Sequence, residues 1–275
     1  MQYKFEIIPG VSIGGEKPLI IAGPCVVESW DICARVAEKT KESCAHLNLP
    51  YVFKSSFDKA NRTSDKSFRS IGMEESLRIL QDIGTKFEVP VITDVHETIQ
   101  VAPVSEVVDF LQIPAFLCRQ TDLLIAAGKS GKPVNVKKGQ FMAPEDMKYA
   151  VDKIKDVGNE RVCLTERGAS FGYHNLVVDM RSMSIMRQFA PVIFDVTHSV
   201  QMPGALGGAT GGQREYAPLL ARAAAAAGVD GFFMETHPNP DEALSDGPNS
   251  IPLGDLEEFL KMILEVWMIG KRWMQ

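Results

Sequence analysis

The chain reads as an α/β protein, a closed (β/α)8 barrel of the TIM type with an N-terminal β-hairpin cap. Eight short apolar runs recur along its 275 residues, most of them apolar on both faces, as strands of a covered parallel sheet are. Between them lie segments with helical periodicity or helix-forming composition, and alternation at roughly 30 residues per unit is what a barrel needs. The alternative is an open doubly wound sheet. The barrel is preferred because the first run lacks the Gly-x-Gly-x-x-Gly turn of a dinucleotide site. No linker or shift in composition marks a boundary, so residues 1–275 are expected to form one barrel domain, with 1–15 as the hairpin.

The elements follow in order. YKFEII and VSIG flank Pro9-Gly10 as a hairpin that plugs or caps the fold. The eight strand runs are 18–25, 51–57, 89–95, 108–114, 133–139, 161–168, 191–198 and 231–237. Glu28 and Ser29 open a helix to about Leu47. Gly72 to Phe87 carries Met73, Leu77, Leu80 and Ile83 at spacings of three and four. Pro144 suits a first helical turn, with Glu145 and Asp146 complementing the dipole of a helix to about Val157. Ala217 to Gly228 is alanine-rich and ends on glycine. Leu253 to about Lys271 closes the chain with Leu256, Phe259, Leu260, Ile263 and Leu264 as an apolar stripe.

Composition excludes several classes of function. Hydrophobic residues at 45% and charged residues at 23% supply a core and rule out disorder. A net charge of −6 repels nucleic acid and anionic membranes at long range, so any anion site must be local. No secretory signal is visible and no apolar run reaches the roughly 18 residues of a membrane span. Five cysteines without pairing geometry point to a reducing, cytoplasmic setting. Cys33, Cys44, Cys118 and Cys163 read as small buried hydrophobes, and Cys25 stands apart.

Barrel enzymes gather their chemistry at the C-terminal strand ends. Here those ends offer Cys25 and Glu28, then Lys54 through Arg62, then Asp94 and His96, then Gln112. The later ones offer Lys137 and Lys138, Glu166 and Arg167, His198 and Ser199, and Glu235 and His237. Tyr51 to Arg62 is the densest: a buried strand that exits into Lys54, Ser55, Ser56, Asp58, Lys59, Asn61 and Arg62. Arginine forks match phosphate oxygens and lysines add compact charge. Lys54, Lys59, Arg62, Lys137 and Arg167 thus form a cationic set sufficient for two phosphate or carboxylate groups. Cys25, His198, Glu235 and Asp246 have the ligand types of a divalent transition-metal site. Gly204 to Gly212, rich in small residues, reads as a loop able to fold over a ligand.

Longer motifs carry a resemblance. AGPC at 22–25, KSSFDKANR at 54–62, QIPAFLCRQTDLL at 112–124, NVKKGQF at 135–141, LTERG at 164–168, FGYHNLVVDMRS at 171–182, DVTHSVQ at 195–201 and METHPNP at 234–240 closely resemble the 3-deoxy-D-manno-octulosonate 8-phosphate synthase family, over nearly the whole chain. The resemblance implies a homotetrameric barrel that condenses phosphoenolpyruvate with D-arabinose 5-phosphate and water, releasing phosphate, in lipopolysaccharide biosynthesis. It also implies the metal-dependent branch, which carries Cys where the metal-independent branch has Asn. Cys25, His198, Glu235 and Asp246 would then hold one divalent ion per subunit, with Zn, Fe, Mn, Co and Cd all compatible. Asp246-Gly247-Pro248 departs from this by resembling the other branch's Cys-Asp-Gly-Pro motif, with Ser245 in place of its cysteine.

By the same resemblance Lys137, Arg167 and the backbone near Ala115 hold phosphoenolpyruvate, with Lys54 and Gln112 close by. Lys59, Asn61, Arg62 and Ser199 face the pentose phosphate, and Arg119 reaches it from a neighbouring subunit. Ser56 and Asp94 complete the expected substrate-binding set. Lys59, Lys137, His198 and Asp246 are the expected catalytic residues: Asp246 or a metal-bound hydroxide as base, Lys137 or His198 as proton donor. Two competing readings remain. One is 3-deoxy-D-arabino-heptulosonate 7-phosphate synthase, which uses erythrose 4-phosphate and carries a Lys-Pro-Arg-Thr type segment where KANRTS stands here. The other is a non-catalytic sugar-phosphate sensor on the same barrel.

Overall fold

The computed structural model describes residues 3–62, 64, 67–204 and 211–273. Its centre is a ring of eight parallel strands: β1 (Leu19–Gly23), β2 (Tyr51–Lys54), β3 (Val91–Asp94), β4 (Phe110–Ile113), β5 (Val134–Lys137), β6 (Val162–Glu166), β7 (Val192–Asp195) and β8 (Gly231–His237). Each pairs with its neighbour in sequence, β8 pairs with β1, and the ring is closed. All eight expected runs are strands of this ring.

Alternation along each strand sorts the side chains. Ile20, Phe53, Leu111, Val134, Leu164, Phe194 and Phe232 turn outward into the layer shared with the helices. Leu19, Ile21, Val52, Ile92, Phe110, Cys163, Ile193 and Phe233 turn inward as an apolar floor. Above that floor the inward face changes character: Lys54, Asp94, Gln112, Asn135, Lys137, Thr165, Asp195 and Glu235 are all buried. The inner face is therefore apolar only in its lower half, which differs from the sequence expectation of strands apolar on both faces. The polar half is tolerated because its members hydrogen-bond one another.

The N-terminal hairpin, Phe5–Ile8 paired antiparallel with Val11–Ile13, plugs the barrel from below. Ile7 and Ile13 join the floor residues in one cluster.

The outer layer is α1 (Trp30–His46), α2 (Met73–Phe87), α3 (Thr98–Val107), α4 (Thr121–Lys129), α5 (Met147–Lys155), α6 (Arg181–Met186), α7 (Ala217–Ala227) and α8 (Leu256–Lys271). The Ser29 side chain accepts from Ile32 N and starts α1 as the sequence predicts. α3 lacks a clear helical signal in the sequence because Pro103 lies inside it, yet a capping box between Glu97 and Gln100 starts it. α6, at six residues, is too short for a periodic signal. α7 ends at Gly228 as expected, and Trp267 of α8 donates to Val229 O at 2.6 Å. Pro144–Asp146 and Leu253–Asp255 are 3-10 turns that lead into α5 and α8, so both helices begin about one turn later than expected.

Candidate active site

The polar half of the barrel interior and the loops above it form one cluster. Its assembly begins where β1 and β2 approach closely. A Cβ on Gly23 would lie 1.9 Å from Lys54 O, so only glycine fits there. That approach sets Lys54 Nζ 3.1 Å from Cys25 O, 3.0 Å from Ser56 Oγ and 3.4 Å from Glu235 Oε1. Lys59 Nζ reaches the same Glu235 oxygen at 3.8 Å. Burial works against the Lys59 ammonium, but Cys25, Glu235 and Asp246 around it reverse that effect and raise its pKa.

A belt of hydrogen bonds crosses the barrel at this level. Ser56 and Gln112 both donate to Asp94. Asn135 donates to Gln112 at 2.9 Å, and Thr165 donates to Asn135 at 2.7 Å. Asp94 stays ionised: burial alone would raise its pKa, and Lys54 and Lys59 bring it below the carboxylate range.

On the far side Lys137 Nζ lies 2.7 Å from Asp195 Oδ2 and 3.7 Å above the Phe233 ring centroid. Burial lowers the Lys137 pKa and Asp195 works to keep the proton on. The Arg167 side chain is buried with Nη2 2.5 Å from Gln201 Oε1, and its Nη1 has no partner among the described residues. Asp195, fully buried, also accepts from His198 Nδ1 at 3.0 Å and from His198 N at 3.0 Å. Its pKa is held below the carboxylate range by His198 and Lys137 despite burial.

The contact between Asp195 and His198 Nδ1 leaves Nε2 facing the acidic centre, 3.5 Å from Glu235 Oε1 and 4.0 Å from Asp246 Oδ2. Ligand atoms of Cys25, Glu235 and Asp246 all lie within 4.8 Å of one another. Cys25 Sγ is 2.9 Å from Ser245 Oγ and 3.2 Å from Asp246 Oδ2. Asp246 sits at φ 50° in a loop that Arg214 ties down through Gly247 O at 2.8 Å. Burial and then the Glu235 charge push the Cys25 thiol well above its ordinary pKa. Burial would raise Glu235 too, but His198 and the nearby lysines outweigh it and bring its pKa down to about 2.

The donor set fits a divalent transition-metal ion. It offers sulfur, an imidazole whose other nitrogen is held by a carboxylate, and two carboxylates. The buried Glu235 Oε2, without a partner among the described residues, is an acceptor still to be satisfied.

The other expected site residues are placed as follows. Ala115 is buried in the turn after β4. Arg119 is exposed, and Lys153 Nζ lies 3.4 Å from its carbonyl. Asn61 is exposed, and Arg62 Nε donates to Phe68 O at 3.1 Å. Ser199 is buried with its hydroxyl on Val196 O at 3.0 Å. His237 turns to Glu28, at 3.6 Å. Thr63 and most of the glycine-rich stretch, 205–210, lie outside the described residues. The two charge sets, separate in the sequence reading, interdigitate: Lys54 and Lys59 both rest on Glu235. Asp195 was missed by sequence reasoning. Its signal is strand alternation, because Ile193 faces inward and so must Asp195.

Fold and mouth together define a (β/α)8-barrel enzyme whose working end is lined with buried cations and a transition-metal donor set. The chain belongs to the DAHP synthetase I family, whose profile matches residues 2–271. It is similar to proteins named 2-dehydro-3-deoxyphosphooctonate aldolase. The one from Koribacter versatilis is 59% identical over 262 residues, covering 94% of each chain. The one from Desulfatibacillum aliphaticivorans is 58% identical over 268 residues, covering 97% of this chain and 98% of its own. That from Acidithiobacillus ferrooxidans is 56% identical over 259 residues, covering 94% and 92%.

Proposed function

We propose that the chain is a 2-dehydro-3-deoxyphosphooctonate aldolase, also called 3-deoxy-8-phosphooctulonate synthase. It condenses phosphoenolpyruvate with D-arabinose 5-phosphate and water, giving 3-deoxy-D-manno-octulosonate 8-phosphate and phosphate. The observation that carries this is the burial of Lys54, Lys137 and Arg167, with Lys59 beside them, around Glu235 and Asp195. Withdrawing ions from water costs several kcal/mol each, which a core bears only where the charge is used. Relatives bearing this name at 56–59% identity favour it over the heptulosonate synthase.

Lys137 and Arg167 hold phosphoenolpyruvate, the unpaired Arg167 Nη1 supplying a free donor, with Lys54, Gln112 and the backbone near Ala115 around them. Lys59, Ser56, Asp94, Asn61, Arg62 and Ser199 take the pentose phosphate. Arg119 reaches it from a neighbouring subunit of a homotetramer, which suits its exposure. Cys25, His198, Glu235 and Asp246 hold one divalent ion, which when bound supplies Lewis acidity to the aldehyde or the attacking water. Lys54, Lys59, Lys137 and Arg167 balance Asp94, Asp195, Glu235 and Asp246, four charges against four. A divalent ion on a Cys25 thiolate leaves this set one unit positive, the sign that draws in phosphorylated substrates.

In the reaction C3 of phosphoenolpyruvate bonds to the aldehyde carbon, water adds at C2, and phosphate leaves with cleavage of its C–O bond. Fixing two mutually repelling anions at bonding distance contributes on the order of 7–11 kcal/mol toward a bimolecular barrier. Asp246 accepts the water proton. Lys137, with its pKa lowered by burial, protonates the aldehyde oxygen. Phosphate release from phosphoenolpyruvate with arabinose 5-phosphate, and not with erythrose 4-phosphate, is the expected result. Release with only the shorter sugar, or with neither, would overturn the assignment.

A further inference from the structure

The geometry points to Lys138 and Glu166 as a positioning pair that sets the spacing between Lys137 and Arg167; this rests on the reading that those two cations hold phosphoenolpyruvate. Neither member of the pair lines the barrel mouth. Each is the chain neighbour of one that does. On β5 and its exit, Lys137 turns inward and Lys138 outward; on β6 and its exit, Glu166 turns outward and Arg167 inward. The strands run side by side here, with Lys137 opposite Thr165 and Lys138 N donating to Thr165 O at 2.8 Å.

Behind the sheet the two outward residues meet. Lys138 Nζ lies 3.5 Å from Glu166 Oε1, and each side chain is only 2% exposed. The same ammonium reaches Gly139 O and Gly168 O, both at 3.4 Å. The carboxylate takes Gly168 N on Oε1 at 2.6 Å and the Ser182 hydroxyl on Oε2 at 2.6 Å. The residues directly after Lys138 and Arg167 are thus gripped by one ion pair. Gly168, at φ +92°, turns both its N–H and its C=O toward that pair, a conformation that suits glycine. The segments that bear the two substrate-facing cations are joined from behind.

Buried ion pairs commonly add little stability over apolar residues of similar volume, whereas removing one partner alone is costly. The double variant Lys138→Met/Glu166→Leu therefore separates spacing from stability. It should stay folded, with a thermal midpoint lowered by no more than the loss of the Gly168 and Ser182 hydrogen bonds, weaken phosphoenolpyruvate binding about tenfold by titration calorimetry, and leave the KM for arabinose 5-phosphate unchanged. A folded double variant with parental phosphoenolpyruvate affinity overturns the inference. If the double variant does not fold, Glu166→Gln decides, since it keeps size and the Gly168 and Ser182 contacts but loses the ion pair. A several-fold weaker affinity supports the pair's role and an unchanged one overturns it. Arg167→Gln runs alongside: if it leaves phosphoenolpyruvate affinity intact, it is the assignment of the anion site that fails.

Discussion

Asp195→Asn tests the centre of the site most directly. The carboxylate is fully buried, 2.7 Å from Lys137 Nζ and 2.8 Å from His198 Nδ1, and the Lys137 side chain is 8% exposed. Asparagine keeps the size and loses the charge. Removing one partner from a buried pair costs about 3–5 kcal/mol because the other ion is left uncompensated. Lys137 sheds part of that cost by releasing its proton: burial already lowers its pKa, and Asp195 is the main group opposing this. A neutral Lys137 forfeits a charged hydrogen bond to phosphoenolpyruvate, about 1.5–3 kcal/mol, or roughly ten- to hundredfold in Kd. Calorimetric titration at two pH values reads this out. The variant should bind more weakly than the parent, and its affinity should recover as the pH is lowered and Lys137 regains its proton. Metal content after dialysis should fall as well, because His198 loses the group that orients it, a change worth about ten- to hundredfold in affinity. Parental phosphoenolpyruvate affinity at both pH values, with parental metal retention, would refute the reasoning.

Turnover should be lost in EDTA and return with a divalent cation, while Cys25→Asn should retain a residual rate that chelator does not touch; a chelator-resistant parent enzyme would show that Cys25 holds no catalytic metal. Stability should fall in acid, because Asp94, Asp195 and Glu235 all have pKa values held below their ordinary range. Such groups stabilise the fold above their unfolded pKa and lose that contribution as pH drops through the folded value. For Glu235 the window runs from 4.5 down to about 2, on the order of 3 kcal/mol, and a thermal midpoint that is level across it would contradict the assignment. Ile13→Ala opens a cavity in the plug at a residue with no exposed surface, so unfolding free energy should drop by about 2–5 kcal/mol with kcat/KM unchanged at low temperature. A matching loss of kcat/KM would mean that the plug shapes the mouth.

The barrel was legible because each strand is a compact apolar run and strand–helix alternation leaves few topologies. Ser29 and Gly228 were legible as helix punctuation for local reasons: a side-chain cap and a left-handed turn. α3 was obscured by Pro103, and its start is fixed by a reciprocal bond between Glu97 and Gln100 that no periodicity count registers. In the site, types and strand ends brought forward Cys25, Lys54, Lys137, His198 and Glu235, because barrel chemistry must sit at those positions. Pairing was hidden. That Lys137 rests on Asp195, or that Lys54 and Lys59 share Glu235, depends on contacts across 58, 181 and 176 residues of chain. Lys138 and Glu166 were read as part of the working rim from position alone. Strand alternation, applied one residue further, turns them to the outside.

The hairpin beneath the barrel bears on the traffic above it. With Ile7 and Ile13 packed among the floor residues, the described residues stopper the lower end, and the substrates of the proposed reaction are expected to come and go at the upper one. The plug thus does for the base what the helices do for the flanks: it leaves the polar half of the interior to face only the loops above it.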